Sequence, residues 1–159
     1  MRSARTQGNA VGIAVLDEVA PAWVAAFRRF CLRLLRAAGI EGAEVSVLLT
    51  GDRRMRELNR RYRRVDRTTD VLSFSQTADA DGPASGSPSA PMGDIVLSLP
   101  AVGRNATRFG VPVEQELKRL VVHGLLHLAG WDHRGAAERS RMMARQEALV
   151  AAMEGEKVL

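Results

Sequence analysis

The sequence predicts a single α+β domain, close in kind to an α/β one, with a small mixed sheet of about four strands packed by helices. Three observations carry this. Short β-branched or apolar runs alternate with longer stretches of helical periodicity. The third and fourth strand runs are joined by a hairpin-like link with no helical pattern, which favours a mixed sheet over a purely parallel one. Finally, 159 residues, 46% of them apolar and 26% charged, suffice for one core and leave little room for two.

Taken in order, residues 1–9 are polar and expected to be flexible, and Val11 to Asp17 reads as a short strand. Pro21 to Ala38 reads as a helix, with Trp23, Phe27, Phe30, Leu34 and Ala38 on one face and Gly39 beyond its end. Ala43 to Thr50 is a buried strand. Asp52 is placed to cap a second helix that carries Met55, Leu58 and Tyr62 on one side and arginines on the other. Strands at Asp70 to Gln76 and Asp94 to Leu99 flank an insert, 77–91, rich in Ala, Gly, Ser, Pro and Asp and expected to be a flexible loop. A short helix from Pro100 to Phe109 precedes the break at Gly110 and Pro112. A long helix from Val113 to Ala129 turns Val113, Leu117, Leu120, Val121 and Leu128 inward and ends at Gly130. The last helix, Ala136 to Met153, directs Met142, Met143, Leu149 and Val150 to the core. The whole chain, 1–159, reads as one domain.

No apolar run approaches the roughly 20 residues of a transmembrane helix, and acidic residues interrupt the first hydrophobic run, so neither a membrane span nor a signal peptide is expected. The single cysteine, Cys31, lies on the apolar face of the first helix and reads as core. A chain with no internal disulfide and no export signal is expected in the cytoplasm.

The net charge of +5 is local. Between Asp52 and Arg67 eight arginines stand against Asp52, Glu57 and Asp66, so this stretch carries the whole excess and the rest of the chain sums to zero. A concentrated basic face suits a polyanion, most commonly nucleic acid. The alternative is a solvated helix surface with internal ion pairs, and since only Lys118 and Lys157 among the 23 basic residues are lysines, arginine richness runs through the chain. Aromatic residues make up only 4%, too few for a base-stacking platform.

All three histidines fall within HGLLHLAGWDH, from His123 to His133. Histidines four apart on a helix share a face one turn apart, which lets both imidazoles reach one metal ion. Gly130 lets the chain turn so that His133 can add a third nitrogen. Three neutral nitrogen ligands suit zinc and leave a position open for water or substrate, the arrangement of a catalytic site. The alternative, three satisfied helix and turn histidines, accounts poorly for their spacing. Asp132 and Asp94 are candidates to hold a histidine tautomer, but turn and strand-capping roles suit them better. The spacing also fits an extended zinc-peptidase pattern, but the glutamate that serves as its general base is Gly124 here.

HGLLHLAGWDH resembles the HGxLHLxGYDH signature of the YbeY family, bacterial metal-dependent endoribonucleases implicated in ribosomal RNA maturation. LNRRYRRVDRTTDVLSFS, from Leu58 to Ser75, is similar to the family's LNxxYRxxDxPTDVLSFP, and MGDIVLS, from Met92 to Ser98, to LGDIxIS. Thr68 and Ser75 stand where prolines are usual, Trp131 replaces a tyrosine, and the 77–91 insert is longer than typical. The resemblance implies one zinc ion on His123, His127 and His133, with His123 and Arg63 catalytic and Arg63 orienting a phosphate. A structural pairing of Arg63 with Asp66 or Asp70 is the alternative. Arg60, Arg61 and Arg64 are candidates for the RNA backbone. The implied substrate is single-stranded RNA, the precursor of small-subunit ribosomal RNA, cut in maturing the 3′ end of 16S RNA and in ribosome quality control, with small-subunit proteins as partners. Two other readings stay open: a zinc peptidase or amidase, and a ribosome-associated assembly factor with a mainly structural metal site.

Overall fold

The computed structural model describes residues 8–16, 20–76, 90–132 and 134–159. Nine elements follow in the order β1 (Ala10–Val15), α1 (Val24–Ala37), β2 (Ala43–Thr50), α2 (Asp52–Arg63), β3 (Val71–Ser75), β4 (Ala90–Ser98), α3 (Leu99–Phe109), α4 (Val113–Leu128) and α5 (Ala136–Ala152). The strands form one sheet in the order β1-β2-β4-β3. The first three of these run parallel, and β3 pairs antiparallel with β4 from Val71 opposite Leu97 to Ser75 opposite Gly93. This is the mixed four-stranded α+β sheet that the sequence predicts.

Period-two alternation assigns each face. Val45, Val47 and Leu49 of β2 join Ile95 and Leu97 of β4 in the main core, under Phe27, Phe30, Leu34 and Leu35 of α1 and the buried side of α4. Leu48 of β2 and Val96 of β4 point the other way, into a smaller cluster with Met55 and Leu58 of α2. The sheet is thus covered by α1, α3, α4 and α5 on one face and by α2 alone on the other. Cys31 is buried in the main core, and that burial pushes its thiol up to about 12, so it is a small apolar side chain and no nucleophile.

Several boundaries and faces differ from expectation. α1 starts at Val24 rather than Pro21, and β4 starts at Ala90, inside the stretch assigned to the loop insert; residues 77–89 of that insert and residues 1–7 lie outside the described residues. Asp52 is the first helical residue and not the cap, which is Gly51. Val113 and Met143 are exposed, because Val113 opens its helix and Met143 sits one position off the buried stripe Met142, Gln146, Leu149 and Met153. Tyr62 is 54% exposed, its ring edge-on to Phe74 at 5.2 Å rather than buried. No helix among the described residues is long and apolar enough to cross a membrane.

Candidate active site

A cleft of about 820 Å³ opens along the edge strand β3, walled by Arg63, Asp70, Ser73, His123, His127, Trp131 and Asp132 among others. It forms where the two helical layers meet the sheet edge, and Ser73 joins them. Its hydroxyl donates to the Gly124 carbonyl of α4 at 3.2 Å, while its carbonyl accepts from Arg63 Nη2 at the end of α2, at 3.0 Å. One edge residue therefore holds the arginine and the histidine helix in fixed relation.

Helical spacing stacks His123 and His127, their rings 4.6 Å apart between centroids and their Nε2 atoms 3.1 Å apart. Each Nδ1 has an oxygen partner: Gln146 Oε1 at 2.9 Å for His123 and the Trp131 carbonyl at 3.1 Å for His127. The latter depends on how α4 ends. Gly130, at φ +92, lets the Trp131 amide return to the Leu126 carbonyl and its own amide to that of His127, the paired bonds of a Schellman turn. That turn also swings the Trp131 carbonyl under His127.

A carbonyl only accepts, so His127 carries its proton on Nδ1 and offers a lone pair at Nε2. With Gln146 Oε1 accepting from His123 in the same way, two lone pairs converge, a repulsive approach that a cation between them relieves. Zinc–nitrogen bonds of about 2.0–2.1 Å in a tetrahedron set neighbouring nitrogens about 3.3 Å apart, close to the separation here. The pair fits zinc. His133, expected as the third ligand, lies outside the described residues, and among those described no group of three histidine, cysteine or acidic side chains forms a metal cluster.

Asp132 pairs with Arg134 at 2.6 Å, and Asp94 accepts from Gln76 at 3.0 Å on the opposite side of the sheet. Neither candidate partner of Arg63 takes it. Asp66 forks with Arg56 at 2.9 and 3.1 Å, which lowers the Asp66 carboxyl. Asp70 accepts from the Val71 amide at 2.8 Å and from Asn105 at 2.9 Å, and Asn105 also donates to Glu116, a buried carboxylate held by Arg119. Arg63 has no carboxylate partner among the described residues. Arg60, Arg61 and Arg64 are exposed but outside the cleft wall: Arg61 lies 5.3 Å from the Tyr62 ring centroid, and Arg64 ends α2 in a left-handed conformation at φ 59. The buried Asn59 side chain, donating to the Arg67 carbonyl at 2.9 Å, braces that turn.

Gly124 faces the sheet. A Cβ there would meet Ile95 Cγ2 at 2.9 Å and Ser73 Oγ at 3.2 Å, so the position that holds a zinc peptidase's general base has no room for a side chain. The residues that sequence reasoning missed are Gln146, Asn59 and the Asp70–Asn105–Glu116–Arg119 chain. A polar residue on the apolar stripe of α5 is the one signal that points to the first of these.

The sequence and the fold have counterparts among known proteins. The endoribonuclease YbeY family model matches residues 16–154. Endoribonuclease YbeY of Moorella thermoacetica is 46% identical over 127 residues, covering 75% of this chain and 81% of that one. The Heliobacterium modesticaldum protein of the same name is 36% identical over 146 residues, covering 87% and 88%. The solution structure of TM1509 from Thermotoga maritima superposes with a TM-score of 0.64 at 28% identity, covering 92% of this chain and 90% of that one. An alignment that runs through β2, the α2 arginines, the edge strand and the histidine helix makes this chain a member of the YbeY endoribonuclease family.

Proposed function

We propose that the chain is a zinc-dependent endoribonuclease that cuts single-stranded RNA in the cytoplasm, with the 3′ end of the 16S ribosomal RNA precursor as its target and the small ribosomal subunit as its setting in maturation and quality control. One observation carries this reading: two histidine Nε2 atoms converge at 3.1 Å in the same cleft as an arginine with no carboxylate partner among the described residues. Family membership supports the ribonuclease activity.

His123, His127 and His133 would hold the ion. The chemistry supplied when zinc is bound there is Lewis acidity toward phosphate or water. Arg63 offers a planar fork of N–H donors, one of them spent on the Ser73 carbonyl, to the equatorial oxygens of a phosphodiester where charge develops. The Ser73 bond limits how far that guanidinium can swing. Arg60 and Arg61 precede Arg63 in the last turn of α2 and Arg64 caps its end; there they contact the RNA backbone and add affinity without reading sequence.

The test is cleavage of a single-stranded RNA spanning the 16S 3′ end by protein purified without a metal-affinity tag, before and after chelation. Near-stoichiometric zinc is expected, with cleavage lost on chelation and restored by zinc, and His123→Ala is expected to stay folded and bind RNA while cutting nothing. Cleavage that survives both treatments overturns the metal role. Bound zinc with no cleavage of any RNA overturns the nuclease reading in favour of an assembly factor.

A further inference from the structure

Gln146 touches the candidate site from a helix with no other part in it. It lies on the inward stripe of α5 with Met142, Leu149 and Met153, 0% exposed, and its Oε1 is 2.9 Å from His123 Nδ1. Its amide nitrogen is buried with no hydrogen-bond partner among the described residues. An orphaned buried amide works against stability, and an apolar residue of the same size would pack there without that penalty. What offsets it has to be found at the histidine.

His127 has its tautomer set by the Trp131 carbonyl and presents a lone pair at Nε2. His123 then has two choices. With its proton on Nδ1, donated to Gln146 Oε1, its Nε2 lone pair faces that of His127 and the space between them receives a cation. With the proton on Nε2, it donates to His127 across the same 3.1 Å, and a histidine–histidine hydrogen bond closes the position. The oxygen of Gln146 selects between them.

We propose that Gln146 is a positioning residue that holds His123 in its Nδ1–H tautomer and so keeps the His123–His127 pair open to a divalent cation. This rests on the metal reading given above. A neutral amide fixes the tautomer without adding negative charge, so it leaves the Lewis acidity of the bound ion undiminished; a carboxylate at the same place would fix the tautomer equally well and raise the basicity of the ligand.

The full-length chain, stripped of metal, is titrated with zinc against a chelating fluorophore, and the His123 tautomer is read by long-range 15N–1H NMR. Gln146→Leu is expected to lose about 10- to 100-fold in zinc affinity and the Nδ1–H signature, with the apo melting temperature unchanged or raised. Gln146→Glu is expected to bind zinc at least as tightly as wild type. A purely structural glutamine would shift the melting temperature and neither of the other readouts. Wild-type zinc affinity and tautomer in Gln146→Leu overturn the inference alone, as does a loss in Gln146→Glu equal to that in Gln146→Leu. A wild type that takes up no zinc overturns the metal reading and the inference together. Should Gln146→Leu fail to fold, Gln146→Met carries the same comparison.

Discussion

Arg63 stands apart from its seven arginine neighbours because its one described hydrogen bond runs to a backbone carbonyl in the cleft wall, leaving the fork of the guanidinium for another acceptor. A lysine there keeps the charge and loses the fork. Arg63→Lys is therefore expected to lower kcat for RNA cleavage by about 100-fold while changing RNA affinity much less, and equal losses in kcat and affinity would make it one more backbone-binding arginine. Among single residues, spacing alone is enough to pair His123 with His127, since helical geometry is local. Their Nδ1 partners are not legible in the same way: one is a carbonyl delivered by the Gly130 turn, the other a glutamine 23 residues away on a different helix. Asp94, inside a motif and chemically suited to the task, instead accepts from Gln76 on the opposite side of the sheet.

Elements are legible where they are periodic and less so where they join. Asp52 illustrates this. Its chemistry suggests a helix cap, but its carboxylate accepts from Ser98 at 2.8 Å, from Thr68 at 3.2 Å and from the forked Arg104 at 2.6 and 2.9 Å, tying the start of α2 to the junction of β4 and α3. Those partners lie 16 to 52 residues away, so no local pattern could reveal them. The Arg104 bonds, chiefly, hold the Asp52 carboxyl down at about 2 from an ordinary 3.8. A carboxyl depressed in the folded state stabilises fully above its unfolded value and loses that contribution as pH falls toward the folded one. Solvent screens this partly exposed pair, so about 1 kcal/mol is at stake. Urea unfolding at pH 7, 4 and 2.5 is expected to show wild type losing about that much more than Asp52→Asn as the pH drops; parallel pH profiles would leave Asp52 without this role.

At the scale of the whole molecule, the two layers have separate tasks. α2, alone on its face of the sheet, carries with the turn that follows it the chain's entire net positive charge, and α4, in the core of the other face, carries His123 and His127; the edge strand β3 is where they meet. Substituting Arg60, Arg61 and Arg64 with alanine is expected to weaken RNA binding about equally across sequences and to flatten the plot of log affinity against log salt by about 2, or about 0.7 for each phosphate of a single strand that these arginines neutralise; an unchanged slope would remove them from the interface. Composition alone locates this charge, and the strand pattern the sheet. What the sequence withholds is which way round α4 is turned. A step of one residue rotates a side chain by about 100° about a helix axis, so with His123 and His127 aimed at the cleft, Gly124 bears on Ile95. A zinc peptidase can share this chain's histidine spacing and yet present the helix at a different roll angle to its sheet. Converting one chemistry into the other by writing a glutamate at Gly124 would push α4 off β4 before it supplied a base, so any proton acceptor engineered here has to come from the wall facing the helix.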